Sequence, residues 1–324
     1  MAERPRLRAL VLAAGRGERL RPLSDLLPKP LLPIAGQPVV AHTLRALADA
    51  GCEAAALNLH HLGDAVRRRF GGEFAGLPLT YSVEPELLGT LGALGPLRDF
   101  LAPADLVLVV NGDSFCRWPL RPLIRRHLAR RADATLLVAR RADPSRFGGG
   151  VGVASDGRIV SLRGAPPAGA RRRVFAGAHV LQPALLERLP AGPGDFVQDL
   201  YEPLLRQGGR LESLLTGRPW HDLGTPLRYL EAALEQAGRW PWRRRAVLVG
   251  AARIEAGGHA EDAILLDGAV VTAACDVRRS ILGPGVELPA GSRVEARLVT
   301  PARAGVAAGP RDSVLGALVY TPLL

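Results

Sequence analysis

Lysine is almost absent from this sequence. Lysine and arginine together number 42 among 324 residues, and Lys29 is the one lysine. The formal net charge of +11 raises the question of a nucleic-acid partner. The arginines, however, form short scattered runs without interleaved aromatic residues, at 67–69, 171–173 and 243–245. This pattern indicates a general preference for arginine, and we expect no nucleic-acid partner.

Cysteines and long apolar runs are also scarce. Cys52, Cys116 and Cys275 lie far apart and form no CxxC pair, which argues against a disulfide framework and a zinc site. No run approaches the roughly 20 apolar residues of a membrane helix. The run "LRALVLAA" is followed at once by "GRGERLRP", unlike a signal peptide. We therefore expect buried thiols, a cytoplasmic location and no membrane partner.

Apolar strand-like runs alternate with segments of helical periodicity over the first part of the chain. "LRALVLAAG", "CEAAALNLH" and "DLVLVVNGD" are continuous apolar runs, typical of buried parallel strands. Helical patterns lie between them, including one over residues 90–101. The alternation predicts an α/β fold with a doubly wound, mostly parallel sheet. From about residue 147 to 178, short strands and turns replace it.

The last part of the chain is repetitive. After "RWPWRRR" (239–245), 17-residue segments begin at Val247, Ile264 and Ile281, and Leu298 begins a fourth. Short repeats of this kind bury their apolar face by stacking on each other. The pattern resembles the left-handed parallel β-helix of hexapeptide-repeat proteins, with a small β-meander as the alternative. So small a stack needs a partner surface, and we expect a homo-oligomer.

These patterns predict three segments. Residues 1–240 form the α/β domain and residues 246–300 the β-helix, while the tail at 301–324 is left unassigned.

A glycine loop with a concentration of cations follows the first predicted strand. In "LAAGRGERLRPLSDLLPKP", Arg16, Arg19 and Arg21 follow the first glycine within six residues, and Lys29 stands between two prolines. Glycines after a buried strand let backbone N–H groups approach a phosphate. Lysine is a compact point charge whereas arginine is a wide planar fork. The lysine in an arginine-rich chain therefore indicates a site where a guanidinium would not fit.

Two acidic residues follow other predicted strands. Asp113 lies in "NGD" and Asp222 in "WHDLGTP". Ligands of open α/β sheets bind at the carboxyl ends of the strands. Two carboxylates near a basic glycine loop suit a divalent cation that also binds phosphate. A turn-capping role is the alternative for Asp113.

In order and spacing, four motifs resemble those of the sugar-1-phosphate nucleotidyltransferases, also called nucleotide-diphospho-sugar pyrophosphorylases. They are "LAAGRGERLRPLSDLLPKPLLPIAGQP", "LLGTLGAL", "NGD" and "WHDLGTP", and the resemblance covers roughly residues 6–238. Several members of that family carry a C-terminal β-helix. The resemblance implies that a sugar-1-phosphate attacks the α-phosphorus of a nucleoside triphosphate and releases pyrophosphate, with Mg²⁺ as cofactor.

The resemblance also implies residue roles. Mg²⁺ would be held by Asp113 and Asp222, and Arg19 and Lys29 would neutralise triphosphate charge. The implied nucleotide-binding residues are Leu12, Ala13, Ala14, Gly15, Gly17, Gly89 and Thr90. The implied sugar-phosphate-binding residues are Asn111, Gly152 and Gly177.

The chain departs from the family pattern after the central strands. Many members have a Glu-Lys-Pro motif whose lysine binds the sugar phosphate. Here the stretch reads "IVSLRGAPPAGARRRVFAGAHVLQP", so Arg163 or one of residues 171–173 is the candidate replacement.

Motifs of this chain resemble different members of the family. "RVFAGAHVLQPALL" is similar to N-acetylmuramate-1-phosphate uridylyltransferases, which lack a β-helix. "EPELLGTLGAL" together with the β-helix favours mannose-1-phosphate guanylyltransferases, with a glucose-1-phosphate nucleotidyltransferase as a further alternative. Such enzymes supply cell-surface polysaccharide biosynthesis.

Two functions of other classes compete with this interpretation. A non-catalytic regulatory paralogue would bind a nucleotide sugar without turnover. An acyltransferase would use a histidine near the β-helix, for which His259 is the candidate.

Overall fold

The chain divides into two compact units. The computed structural model describes residues 4–140, 142–147, 150–238, 246–302 and 309–323. The first unit comprises Met1–Gly15 and Val39–Trp220, and the second comprises Arg16–Pro38 and His221–Leu324. The expected boundary at "RWPWRRR" lies outside the described residues, and the predicted domain limits stay predictions.

A large, mostly parallel sheet forms the centre of the first unit. Ten of its strands make the sheet, in the order β9-β8-β10-β5-β1-β2-β4-β3, with β7 beside β10 and β11 beside β7. The strands of the unit are β1 (Leu7–Leu12), β2 (Ala54–Leu59), β3 (Glu73–Phe74), β4 (Leu77–Val83), β5 (Leu106–Asn111), β6 (Ser114–Cys116), β7 (Ala134–Ala139), β8 (Val151–Val153), β9 (Ile159–Ser161), β10 (Arg171–Leu181) and β11 (Leu211–Thr216). β1 pairs in parallel with both β2 and β5, so the carboxyl ends of these three strands lie side by side.

The helices of the first unit lie between its strands, and one expectation about them is corrected. They are α1 (Val39–Ala50), α2 (Gly63–Phe70), α3 (Gly89–Gly92), α4 (Arg98–Leu101), α5 (Leu120–Arg130) and α6 (Glu202–Arg206). The single helix expected over 90–101 is wrong, because a 3-10 turn at Gly95–Leu97 separates α3 from α4. Gly95 and Pro96 cause the break, since glycine lowers helix propensity and proline removes a hydrogen-bond donor. A π-helix (Phe196–Tyr201) precedes α6.

The core of the first unit explains why the apolar runs form strands. Leu10, Val107 and Val109 are completely buried in one cluster with side chains of the flanking helical segments. Strands covered on both faces have no polar face, which is why their sequences are continuous apolar runs. The polar residues that follow these runs are consequently held at the sheet edge.

The second unit contains one α-helix and a stack of short parallel strands. Helix α7 (Pro226–Ala237) follows β12 (Trp220–Asp222), a strand at the point where the first unit ends and the second resumes. The Tyr229 hydroxyl of α7 donates a hydrogen bond to the Pro33 carbonyl at 2.9 Å. Pro33 belongs to a small hairpin, Pro33–Ile34 with Gln37–Pro38.

The short strands of the stack pair in a register that matches the 17-residue repeat. Val247 pairs with Ile264, Ile264 with Ile281, and Ile281 with Leu298, all in parallel. The strands are β13 (Val247–Leu248), β14 (Arg253–Ile254), β15 (His259–Glu261), β16 (Ile264–Leu265), β17 (Val270–Val271), β18 (Asp276–Arg278), β19 (Ile281–Leu282), β20 (Arg293–Glu295) and β21 (Arg297–Pro301). They form three parallel ladders, so the meander alternative is wrong.

Each turn of this stack, called a coil below, places apolar side chains toward a common core. Val277, Leu282 and Val286 are completely buried there. The tail left unassigned from sequence forms β22 (Ser313–Leu315) and β23 (Leu318–Pro322). β23 pairs antiparallel with β21 and therefore ends the parallel register.

The remaining expectations about composition concern cysteines and membranes. All three cysteines are buried free thiols, as expected. Burial raises the pKa of Cys52 and of Cys116 to about 12. No helix in the described ranges combines the length and the apolar composition needed to cross a membrane.

Candidate functional site

A buried chain of hydrogen bonds ties together the segments predicted to bind the nucleotide in the first unit. The Ala13 backbone N–H donates to Asn58 Oδ1 at 2.8 Å, and Asn58 Nδ2 donates to Glu84 Oε1 at 2.8 Å. Glu84 Oε2 accepts the backbone N–H of Leu88 at 3.1 Å. Asn58 and Glu84 are each 3% exposed. These four residues, called the cradle below, fix the end of β1 relative to the loop before Gly89.

Sequence reasoning missed Asn58 and Glu84. Their signal is a polar residue near the carboxyl end of a predicted strand, in "LNLH" and "YSVE". A buried carboxylate without partners is costly, whereas Glu84 has its oxygens engaged. The fold therefore supplies specific hydrogen-bond partners for this buried carboxylate.

Gly89 and Thr90 lie against the segment at 192–196. A Cβ at Gly89, whose φ is +72°, would lie 2.5 Å from the Gly194 carbonyl oxygen. The Gly194 carbonyl also accepts the N–H of Leu91 at 2.9 Å, and Thr90 Oγ1 accepts the N–H of Phe196 at 3.2 Å. Packing alone thus requires glycine at position 89. The predicted contact of both residues with a base stays a prediction.

The other predicted residues at the end of β1 differ in exposure. Leu12 is half-buried and Ala14 is buried, whereas Gly15 is exposed. A Cβ at Gly15 would meet no atom within 4 Å. An exposed backbone after a buried strand is the geometry that a phosphate needs for close approach.

The residues predicted around the sugar phosphate are only partly brought together. Asn111 ends β5, and a Cβ at Gly177, whose φ is +84°, would lie 3.1 Å from the Asn111 side chain. Asp113 follows two residues after Asn111, and Ser114 Oγ donates to its Oδ1 at 3.3 Å. Gly152 lies in β8, where a Cβ would lie 2.2 Å from Ser161 Oγ. The close contact with β9 is therefore sufficient to explain the glycine at position 152, and no contact with a ligand is needed to account for it.

Lys29 lies in a cluster of charges in the second unit. Its side chain is 8% exposed, and Nζ is 3.8 Å from Asp222 Oδ1. Arg228 Nη1 donates to Asp222 Oδ2 at 2.6 Å. We call Lys29, Asp222 and Arg228 the charged cluster. A surface lysine would be solvated, so the burial of Lys29 supports a specific role.

Local structure accounts for the positions of these side chains. Lys29 begins a 3-10 turn, Lys29–Leu31, and follows an extended Pro28. Arg228 lies in the first turn of α7, where its backbone N–H is capped by Thr225 Oγ1 at 3.3 Å. Nothing in the sequence singled out Arg228, because 41 arginines share its residue type.

Arg19 and Gly17 also belong to the second unit. Gly17 has φ +65° and its carbonyl accepts a hydrogen bond from Ser24 Oγ at 2.8 Å. Arg19 is exposed, and its Nη2 would lie 2.8 Å from a Cβ at Gly224. Gly224 thus leaves room for a guanidinium close to Asp222. Lys29, Arg228 and Arg19 thus all lie close to the Asp222 carboxylate, and cations of this kind can bind phosphate oxygens.

The chemistry of Asp113 and Asp222 can be tested against Mg²⁺. Among the described residues, no group of three or more histidine, cysteine or acidic side chains could hold a metal alone. Mg²⁺ takes one or two carboxylates and completes its shell with water and substrate phosphates. Each aspartate has the chemistry of such a ligand, and the pairing of Asp113 with Asp222 at one metal stays a prediction.

The structure describes the contacts of two candidate replacements for the missing Glu-Lys-Pro motif. Arg163 lies 3.8 Å from Asp195 Oδ1 and 3.7 Å from Glu202 Oε1. With its amide oxygen turned toward Arg163, Gln198 accepts from that guanidinium at 3.0 Å. Arg172 Nη2 donates to the Gly164 carbonyl at 2.5 Å. Arg163 and Arg172 thus make structural contacts, and none of the candidates is assigned to the sugar phosphate.

Comparison with known proteins identifies the family. The family model "Nucleotidyl transferase" matches residues 8–238. A mannose-1-phosphate guanyltransferase beta-B of Xenopus laevis is 29% identical over 227 residues, which are 69% of this chain and 63% of that protein. The chain therefore matches less than two thirds of the length of that relative.

Two further comparisons extend this result. A mannose-1-phosphate guanylyltransferase of Mycobacterium tuberculosis (strain ATCC 25618 / H37Rv) is 30% identical over 299 residues, which are 90% of this chain and 79% of that protein. The crystal structure of HddC from Yersinia pseudotuberculosis shares the fold, with a TM-score of 0.59, 24% identity, and coverage of 70% of this chain and 98% of that one. With four sequence motifs, a mostly parallel sheet and a family model spanning most of the chain in agreement, this protein belongs to the nucleotidyl transferase family.

Proposed function

We propose that this protein is a sugar-1-phosphate nucleotidyltransferase. It would form a nucleoside-diphosphate sugar and pyrophosphate from a nucleoside triphosphate and a sugar-1-phosphate. The observation that carries the proposal is the charged cluster, in which Lys29 is nearly buried beside an aspartate that Arg228 also contacts. Mannose-1-phosphate and GTP are the first choice of substrates, because relatives named as mannose-1-phosphate guanylyltransferases cover up to 90% of this chain.

The chain's own residues would act mainly by positioning and by charge. Two polyanions repel each other, so cations around the phosphates lower the barrier. Lys29 and Arg19 would bind triphosphate oxygens as a phosphate oxygen of the sugar attacks the α-phosphorus and pyrophosphate departs. Asp113 and Asp222 would hold Mg²⁺, which supplies charge stabilisation on the phosphoryl oxygens.

The nucleotide would lie on the cradle and the glycine loop. The predicted residues for this contact are Leu12, Ala13, Ala14, Gly15, Gly17, Gly89 and Thr90. The cradle supports the proposal because it fixes Ala13 and the loop before Gly89 with hydrogen bonds of 2.8–3.1 Å. Asn111, Gly152 and Gly177 stay the predicted contacts of the sugar phosphate.

Pyrophosphate release tests this proposal directly. The purified chain would be assayed with GTP, UTP, ATP and dTTP against mannose-, glucose- and N-acetylmuramate-1-phosphate, with Mg²⁺ and with EDTA. We expect release with one preferred pair and none with EDTA. Binding of a nucleotide sugar without turnover of any pair would favour the regulatory paralogue and reject the enzyme.

We further propose an architecture and an assembly. The sheet would be doubly wound, the coils would form a left-handed β-helix, and the protein would be a cytoplasmic homo-oligomer that serves polysaccharide synthesis. The parallel 17-residue register supports the β-helix. Light scattering tests the assembly, and a monomer at micromolar concentration would contradict it. The acyltransferase alternative has weaker support, since the side chain of its candidate His259 is 57% exposed and lies 3.7 Å from Glu261.

A further inference from the structure

A cavity of about 630 Å³ in the first unit contains none of the residues proposed above to bind the metal, the nucleotide or the sugar phosphate, although Arg171 and Arg173 in its wall were candidate replacements for the missing lysine. The turn after β8, the beginning of β10, the edge strand β11 and one side chain of α5 line it. Its volume lies within the range of roughly 300–1,000 Å³ that small-molecule sites occupy. We call it the arginine cavity, after Arg126, Arg171 and Arg173 in its wall.

Two of these arginines give the cavity a positive charge without a matching acid. Arg171 and Arg173 are two residues apart in β10, so their side chains share one face of the strand. Among the described residues, neither guanidinium pairs with an acid. Asp156 is the acid in the wall, and its carboxylate is engaged by Arg158, with Nε at 2.7 Å from Oδ2. The cavity therefore attracts anions.

The third arginine is held in place. Arg126 Nη2 donates to Glu212 Oε2 at 2.9 Å and to the Asp156 carbonyl at 2.8 Å. Glu212 is completely buried. A Cβ at Gly157, whose φ is +92°, would lie 2.2 Å from Arg126 Nη2, so a side chain there would be strained and would displace the guanidinium. A guanidinium fixed in this way loses little conformational entropy when it binds a ligand.

The edge of β11 adds a backbone donor. The N–H of Ser213 points away from β7 and donates to the Gly157 carbonyl at 2.8 Å. Backbone groups of alternate residues share one edge of a strand, so the N–H of Leu215 points to the same side. Leu215 lines the cavity and is 37% exposed. The wall thus combines cations, a backbone N–H and the apolar surface of Val153 and Leu215.

We infer that the arginine cavity binds a small phosphate monoester at a second site, separate from the nucleotide site. Guanidinium groups pair with phosphate through two parallel hydrogen bonds. The apolar wall would cover the organic body of the ligand. A concave cavity of this size suits a small molecule better than an extended acidic peptide. A sugar phosphate and a nucleoside monophosphate share the required chemistry.

Calorimetric titration of the whole chain with AMP and with glucose 6-phosphate tests this inference and distinguishes the two sources. The titrations would use EDTA and low salt, and would compare Arg171→Gln and Arg173→Gln with Arg172→Gln. The three changes remove the same charge from one strand, but Arg172 lies on the other face and contacts Gly164. We expect the affinity for one of the two probes to fall at least roughly tenfold in Arg171→Gln and in Arg173→Gln. In the control Arg172→Gln it should fall less than about twofold.

Other outcomes would overturn the inference. They are absence of saturable binding of both probes, an equal loss in all three arginine variants, or binding that Asp113→Asn weakens and Arg171→Gln does not. The second outcome would indicate a general effect of net charge, and the third would place the probe at the nucleotide site. Pyrophosphate release is measured separately in the same variants, so the proposed function can stand or fail independently.

Discussion

The two units hold their predicted site residues by different physical means. In the first unit, the cradle is a series of hydrogen bonds among buried groups, with Asn58 and Glu84 each 3% exposed. In the second unit, the charged cluster consists of ions, with Asp222 between Lys29 at 3.8 Å and Arg228 at 2.6 Å. The first arrangement fixes positions, whereas the second sets an electrostatic potential.

This difference separates two kinds of mutational effect. Loss of a partner in the cradle leaves a buried polar group unsatisfied and displaces backbone, which should change nucleotide affinity. Loss of a charge in the cluster changes the stabilisation of the reacting phosphates, which should change turnover. The predictions that follow, in descending order of effect, test whether the cradle affects nucleotide affinity while the charged cluster affects turnover.

The largest effect is expected from the aspartates. Asp222→Asn and Asp113→Asn each remove a proposed metal ligand and a charge, so kcat should fall by at least about 100-fold. Turnover would be measured at limiting Mg²⁺, with the exposed Asp99→Asn as the control. Near-normal turnover in either variant would show that the acid is not a metal ligand.

Lys29 gives the sharpest test of the charged cluster. Lys29→Ala should lower kcat/KM roughly 10- to 150-fold, because a charge-assisted contact is worth about 1.5–3 kcal/mol. Lys29→Arg keeps the charge but places a wide fork in a site where the lysine is 8% exposed. We expect that variant to lose activity as well. Wild-type kinetics of Lys29→Arg at subsaturating nucleotide would reject the role given to Lys29.

Acid should destabilise the first unit through two buried histidines. Burial lowers the pKa of His127 to about 4 and that of His179, which is hydrogen-bonded to Tyr201, to about 3. Their folded pKa values lie below the unfolded value of about 6.5, so their contribution is complete above that pH and is lost as the pH falls toward 4. Each should cost about 2–3 kcal/mol of unfolding free energy by about pH 4.5.

Urea unfolding at pH 7.5 and at pH 4.5 would measure this loss. The matched variants are His127→Gln and His179→Gln, whose pH dependence should be smaller than that of the wild type because the titrating group is gone. His259 of the second unit is exposed, and His259→Gln is the control. An equal pH dependence in wild type and both buried-site variants would contradict the prediction.

The smallest effect is expected from the cradle. Glu84→Gln retains one oxygen for two donors, so either Asn58 or Leu88 loses its partner. The KM for the nucleotide should rise roughly 3- to 10-fold while kcat changes less. The exposed Glu86→Gln is the matched control. A fall in kcat without a change in KM would contradict the separation between cradle and cluster.

Much of the fold could be predicted because its signals are local. Continuous apolar runs predicted β1, β2 and β5, since a strand buried on both faces has no polar face. The 17-residue period predicted the register of the coils, because each coil stacks on a copy of itself. The break in the helix over 90–101 was also encoded locally, in Gly95 and Pro96, but helical periodicity of the apolar residues concealed it.

The candidate site was less predictable, because its contacts join distant parts of the chain. Lys29 stood out by composition, and the burial of its side chain agrees with a special role. Glu84 and Arg228 did not stand out. Asn58 and Glu84 are 26 residues apart and meet because β2 pairs in parallel with β4. Arg228 meets Asp222 because the first turn of α7 follows β12 closely.

By itself, the sequence determined the strands, the repeat and the residue types available for phosphate chemistry, since these depend on local pattern and composition. The tertiary structure alone decided which polar groups are satisfied and which charges lie close together. It satisfied the Glu84 carboxylate with Asn58 and Leu88, and it engaged Arg163 with Asp195 and Glu202. Hydrogen bonds and ion pairs act over a few ångströms, so they depend on distances that only folding sets.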